Sequence, residues 1–205
     1  MLTRHSARHG RSASARGFTL IELMVTVTLA ALLLALGAPM LTAWIRNAKI
    51  RAVADSLQNG LREAQTEALR RSRQVVFSLT DSADPGTSLS AIPNGRNWSI
   101  NVVKSTLDTA NVFIEGGSLA EVASGVEIKG PAAVCFNSLG RMVGNTDTGV
   151  SGADCKLPTT GSTHGYDITL PDADRPLRVL VAVGGQVRMC DRAKKLSDSP
   201  DGCPP

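Results

Sequence analysis

The strongest constraint on this chain is a nearly unbroken apolar run from Phe18 to Ala38, 21 residues in which Glu22 is the one ionisable side chain. At a rise of about 1.5 Å per residue, a helix of that length crosses the roughly 30 Å hydrocarbon core of a bilayer. Ahead of it the polar stretch Met1 to Gly17 carries Arg4, Arg8, Arg11 and Arg16 and no acid, the charge bias that keeps a flank cytoplasmic. A secretory signal ends its apolar stretch at a small-residue cleavage site; no such site closes this run, so the helix is expected to be retained. A plain single-span anchor explains the arginines and the length. It leaves Glu22 unexplained, because a carboxylate costs up to about 3 kcal/mol at full depth in lipid and so reads as functional.

The junction Gly17-Phe18-Thr19-Leu20-Ile21-Glu22 resembles the class III signal of type IV pilins and type II secretion pseudopilins. That resemblance implies cleavage between Gly17 and Phe18 by a membrane-embedded prepilin peptidase, with methylation to give N-methyl-Phe18. It also implies that Glu22 pairs with the Phe18 ammonium of a neighbouring subunit, offsetting the penalty of placing either charge in an apolar bundle. The expected organisation is a leader over 1–17, a transmembrane and assembly helix over 18–38, an amphipathic continuation over 39–73, and a β-rich periplasmic or extracellular head over 74–205. The expected location is the inner membrane, single-pass, with the head in the periplasm until assembly into a pilus or pseudopilus.

The formal charge of +4 hints at an acidic partner. Setting aside the four leader arginines leaves 18 basic against 18 acidic residues, so the mature chain is formally neutral and whole-chain basicity says little about nucleic acid. Aromatic residues make up only 3% of the chain, which predicts a modest aliphatic core. Cys135, Cys155, Cys190 and Cys203 all follow the apolar run. With no Cys-x-x-Cys pair and His164 the sole downstream histidine, they do not suggest a metal site, and none is expected. In an exported head the even count suits two disulfides; of three possible pairings, Cys135 with Cys155 and Cys190 with Cys203 is favoured.

Beyond Pro39, where a kink or local melting is expected, Leu41, Ile45, Ala48, Ala52, Leu57, Leu61, Ala64, Ala68 and Leu69 recur at three- and four-residue spacing and predict an amphipathic helix to about Ser72. From Gln74 the pattern changes to short strand-like runs: 75–79, 98–103, 112–114, 126–128, 133–136, 166–170 and 177–183. Gly184-Gly185 is placed as the turn of a hairpin leading into 186–190. Asp172 and Asp174, beside Pro171 and Pro176, read as a turn. The expected class is α+β, a long N-terminal helix with a transmembrane first half, packed on a mostly antiparallel β-sheet head.

Three further segments resemble the FimT/FimU/GspH family of minor pilins and minor pseudopilins: Leu61 to Arg71, Phe136-Asn137-Ser138-Leu139-Gly140-Arg141, and Gly185-Gln186-Val187-Arg188-Met189-Cys190. The resemblance implies other pilin or pseudopilin subunits as partners, and a role in priming filament assembly. Some FimT-type members bind double-stranded DNA during natural transformation. Arg188, Arg192, Lys194 and Lys195, with Arg141 more distant, are the candidates for that, although the Gly-Arg-x-Arg element of DNA-binding members here reads Gly185-Gln186-Val187-Arg188. The alternative is a minor pseudopilin of a type II secretion system. A membrane-tethered hydrolase is the competing class. His164, read as lying in a Gly/Thr-rich loop, and the absence of a Gly-x-Ser-x-Gly or phosphate-loop element argue against it, so neither catalytic residues nor cofactors are expected.

Overall fold

The computed structural model describes residues 17–204, except positions 83, 85, 87, 88, 106, 107, 160 and 162. The expected leader, up to position 16, lies outside the described residues. The chain divides into a first unit ending at Leu41 and a second from Thr42 to Pro205. Helix α1 (Leu20–Arg71) contributes to both.

In the first unit α1 is apolar on every side, and Leu20, Ile21, Leu23, Val25, Leu29, Leu33 and Leu36 are all exposed. It is long and apolar enough to cross a membrane. The hydroxyls of Thr26 and Thr28 donate to the carbonyls of Leu23 and Val25, each at 2.9 Å, so neither is left unpaired on this apolar surface. A kink or local melting was expected at Pro39; the helix does not melt there but continues through it. Proline removes one donor from the ladder, and the surrounding backbone bonds suffice to hold the helix.

Besides the rest of α1, the described residues of the second unit form ten strands and a short helix. In chain order they are β1 (Val75–Thr80), β2 (Asn97–Val102), β3 (Val112–Ser118), α2 (Leu119–Val122), β4 (Glu127–Lys129), β5 (Ala133–Phe136), β6 (Met142–Val143), β7 (Thr163–Thr169), β8 (Leu177–Ala182), β9 (Val187–Lys195) and β10 (Gly202–Cys203). They form two five-stranded sheets, β3-β2-β1-β5-β6 and β10-β9-β8-β7-β4. Pairing is antiparallel except for β10 against β9. A backbone bond from Met142 N–H to the Val183 carbonyl, 3.0 Å, ties the end of the first sheet to the β8–β9 turn.

One core joins α1 to both sheets: Ile50, Val53, Ala54, Leu57, Leu61, Ala64 and Ala68 meet Phe77, Ile100 and Phe136 from the first sheet and Tyr166, Ile168 and Val179 from the second. This corrects the expected helix stripe in its first half. Leu41, Ile45, Ala48 and Ala52 are exposed, as is Leu69. The reason is phase: at about 100° per residue, the five-residue step from Ala52 to Leu57 rotates by roughly 140° from the starting face, whereas Ile50, Val53, Ala54 and Leu57 share one face.

Strand β1 is buried at all six positions because each face has its own cover. Its inner face meets α1; its outer face, through Val76, joins Ala91, Ala133, Ala153 and the Cys135–Cys155 disulfide. The second sheet is treated the same way on a smaller scale, where Leu180 packs with the Cys190–Cys203 disulfide. The first bridge thus fastens the irregular segment that holds Cys155 over the outside of its sheet, and the second ties β10 to its neighbour β9. His164, expected in a loop, lies in β7, where its neighbours pair with β8 and its Nε2 is 2.6 Å from the Lys156 carbonyl. The Thr/Gly composition misled the reading there, because threonine is as well suited to strands as to turns.

Near the end of α1, Glu67 has a side chain only 6% exposed and is gripped by Arg70 and Arg71 at 2.7 and 2.6 Å. Their hydrogen bonds hold its carboxyl down at about 2, against the desolvation that opposes them.

Candidate functional site: the N-terminal junction and the C-terminal basic face

Gly17, Phe18 and Thr19 precede the first turn of α1. A side chain at Gly17 would meet nothing within 4 Å, and Phe18 is 79% exposed, so the bond between them is open on the outside of the fold. Thr19 begins the helix. Its Oγ1 accepts from the Glu22 N–H at 3.2 Å, while the Glu22 carboxylate faces the Thr19 N–H and hydroxyl, each at 3.4 Å. This is the reciprocal Thr-x-x-Glu box, in which an N-terminal hydroxyl and the acid three residues later satisfy each other's backbone donors. Glu22 also stands where the helix dipole favours negative charge. Its cost beside lipid is therefore partly met within the chain, by contacts long enough to be exchanged for a stronger partner.

The five basic candidates fall in two places. Arg188, Arg192, Lys194 and Lys195 belong to β9, whereas Arg141 follows the turn between β5 and β6. Two of the five are held by carboxylates: Arg192 reaches Asp167 at 3.3 Å, and Lys194 reaches Asp201 at 2.6 Å. Lys194 and Ser199 together hold the Asp201 carboxyl at about 2. Among the described residues, the side chains of Arg141, Arg188 and Lys195 make no ion pair.

Sequence reasoning missed a further participant, Arg178. It lies on β8 opposite Cys190, and its guanidinium grips Asp167 at both oxygens, so two arginines share one carboxylate. With Arg192, Lys194, Lys195, Leu196, Ser197, Cys203 and Pro204 it lines a cavity of about 380 Å³. No local motif marks Arg178; strand register alone brings it to the tail. Among the described residues, no group of three or more His, Cys, Asp or Glu side chains could hold a metal ion.

The three segments that carry the head resemblance meet at one point. Gln65 donates through Nε2 to the Gly140 carbonyl at 2.8 Å, and Arg62 donates to the Val187 carbonyl at 3.2 Å. Gly185 is packed so closely that a Cβ there would stand 1.9 Å from the Gly140 carbonyl oxygen. These motifs therefore describe how helix, β5–β6 turn and β8–β9 turn lock together.

A family profile for the prokaryotic N-terminal methylation motif matches residues 12–38, and one described as type II transport protein GspH matches residues 53–185. No curated protein matches. Among solved structures the chain is similar to the type IV minor pilin FimU of Pseudomonas aeruginosa in two crystal forms. The first is 14% identical with a TM-score of 0.48 and covers 74% of this chain and 95% of that one. The second is 14% identical with a TM-score of 0.45 and covers 70% and 94%. The methylation motif implies processing by prepilin peptidase and assembly with other pilins, and its apolar helix is consistent with inner-membrane anchoring. With the GspH profile spanning most of the chain, the protein belongs to the GspH family and is a non-enzymatic minor pilin or pseudopilin of the type IV pilus or type II secretion class.

Proposed function

We propose that the precursor is cut between Gly17 and Phe18, methylated on Phe18, and built as a minor subunit into a type IV pilus, where it primes assembly. The observation that carries this reading is the bare apolar first part of α1, residues 20–38, whose one carboxylate, Glu22, sits one turn from the new amino terminus. In an apolar bundle that carboxylate needs a cation, and the Phe18 ammonium of an adjacent subunit supplies one. Placement in a pilus rests on the similarity of Arg188-Met189-Cys190-Asp191 to FimT-like tails; the pseudopilin of a secretion system is the alternative within the same family. Deleting the gene discriminates them. A collapse of surface pilus number with secretion intact is expected, loss of secretion alone favours the pseudopilin, and normal pili with normal secretion would sink the priming role.

A second reading, binding of double-stranded DNA, gains from one feature of the basic face. Arg178 and Arg192 share the single Asp167 carboxylate, which leaves excess positive charge beside Lys195. A phosphate chain would dock there through contacts that weaken as salt rises. The fragment 42–205, which contains every core residue from Ile50 onward, is titrated with duplex DNA at low and moderate salt. Binding should weaken on raising salt and fall roughly tenfold or more when Arg188, Arg192, Lys194 and Lys195 are replaced by alanine. Binding insensitive to both would remove this reading.

A further inference from the structure

Glu22 and Arg46 bracket 23 residues without a charged side chain. As helix, at about 1.5 Å per residue, that stretch is roughly 35 Å long, more than the hydrocarbon core of about 30 Å and less than a whole bilayer with its headgroups, roughly 40–45 Å. With Glu22 at the cytoplasmic boundary, where a carboxylate costs least, the surplus falls at the other end. Its last two residues are Trp44 and Ile45.

Both are exposed, Trp44 at 67%, and neither belongs to the core that α1 shares with the sheets, which begins at Ile50. From the next residue the head takes hold of the helix. The Arg46 guanidinium donates to the Asp172 carbonyl at 3.2 Å, and the Arg175 N–H donates to Asn47 Oδ1 at 3.2 Å, so the β7–β8 turn grips α1 directly after the uncharged stretch. Two independent boundaries, one of charge and one of packing, coincide at Arg46. Tryptophan joins an apolar ring to a donating N–H, which suits the layer where acyl chains end and ester carbonyls begin.

We infer that, before assembly, Trp44 and Ile45 are seated in the phospholipid headgroup layer on the head's side of the inner membrane, and that the head begins at its surface without an intervening stalk. The inference rests on the reading of the chain as an inner-membrane precursor, and it carries the membrane seat beyond the end of the apolar run at Ala38. Lipid is favoured over a protein partner because the exposed pair closes an uncharged stretch whose length matches a bilayer. Side chains on a helix also lean toward its N-terminus, which turns Lys49 back toward the phosphates of such a layer.

The test reconstitutes the full chain, at high dilution, in vesicles of phosphatidylethanolamine and phosphatidylglycerol whose lipids are brominated either near the headgroup or near the chain ends, and reads tryptophan emission. The chain has two tryptophans, and Trp98, 7% exposed in the core, supplies an unquenched background. Shallow bromines should remove most of the Trp44 emission and deep bromines little; Trp44→Phe should abolish the loss. Ala48 is exposed one turn further along α1. Ala48→Trp in the Trp44→Phe background should therefore emit unquenched by either lipid. Quenching of Trp44 mainly by deep bromines, or equal quenching at positions 44 and 48, overturns the seat. So does an absence of quenching while the chain floats with the vesicles, which is what a second copy lying over Trp44 would give. If the chain does not float with the vesicles, the membrane reading fails first and the seat falls with it.

Discussion

Gly17→Val is expected to leave an uncut precursor, whereas Glu22→Ala should be cut normally and yet enter filaments on the order of a hundredfold less than the wild type, the scale of an apolar ion pair with one partner removed. The first half of this prediction isolates the peptidase. Nothing within 4 Å of Gly17 would meet an added side chain, so valine there leaves the fold alone and changes only what the protease must accommodate. The second half needs a finer variant, because Glu22 does two jobs. It completes the box with Thr19, and it carries the charge proposed to meet the Phe18 ammonium. Glu22→Gln separates them: glutamine can serve at the third position of such a box but brings no charge. Immunoblots of precursor and mature forms report cleavage, and the sheared filament fraction reports incorporation. If Glu22→Gln is incorporated like the wild type, the pairing with Phe18 is wrong and capping accounts for Glu22.

The long helix was legible because two simple signals agreed, an apolar run of membrane length and a lone carboxylate near its start. Most strands were legible from alternation, including β5 at the expected positions 133–136. What escaped had physical reasons. Two apolar stripes overlap on the second half of α1; the spacing that begins at Leu41 predicts an amphipathic helix, but the buried core starts only at Ile50 and runs on a different face. The two-residue strands β6 and β10 are too short for periodicity to reveal; β10 exists because the tail returns beside β9, where a disulfide holds it. Arg178 escaped because its place beside the tail is a matter of register between β8 and β9, and register depends on which face of a sheet is buried.

The Gly184-Gly185 turn shows most sharply where sequence stops and packing begins. Either glycine could serve a hairpin, and composition gives no reason to prefer one. In the structure they differ completely. A side chain on Gly184 would meet nothing within 4 Å, whereas Gly185 has φ +93° and a Cβ there would lie 1.9 Å from the Gly140 oxygen and 2.5 Å from the Gln65 amide nitrogen. The backbone oxygen cannot step aside without moving the β5–β6 turn. The amide could leave only by abandoning its 2.8 Å bond to Gly140. Gly185→Ala in the fragment 42–205 should therefore lose about 3 kcal/mol or more, combining left-handed strain, overpacking and a lost hydrogen bond. Gly184→Ala should lose less than about 1 kcal/mol, as an uncrowded surface change does. Urea unfolding midpoints of the two variants check this directly. Equal losses would mean that the junction of Gln65, Gly140 and Gly185 is not what holds the end of α1 to the sheets.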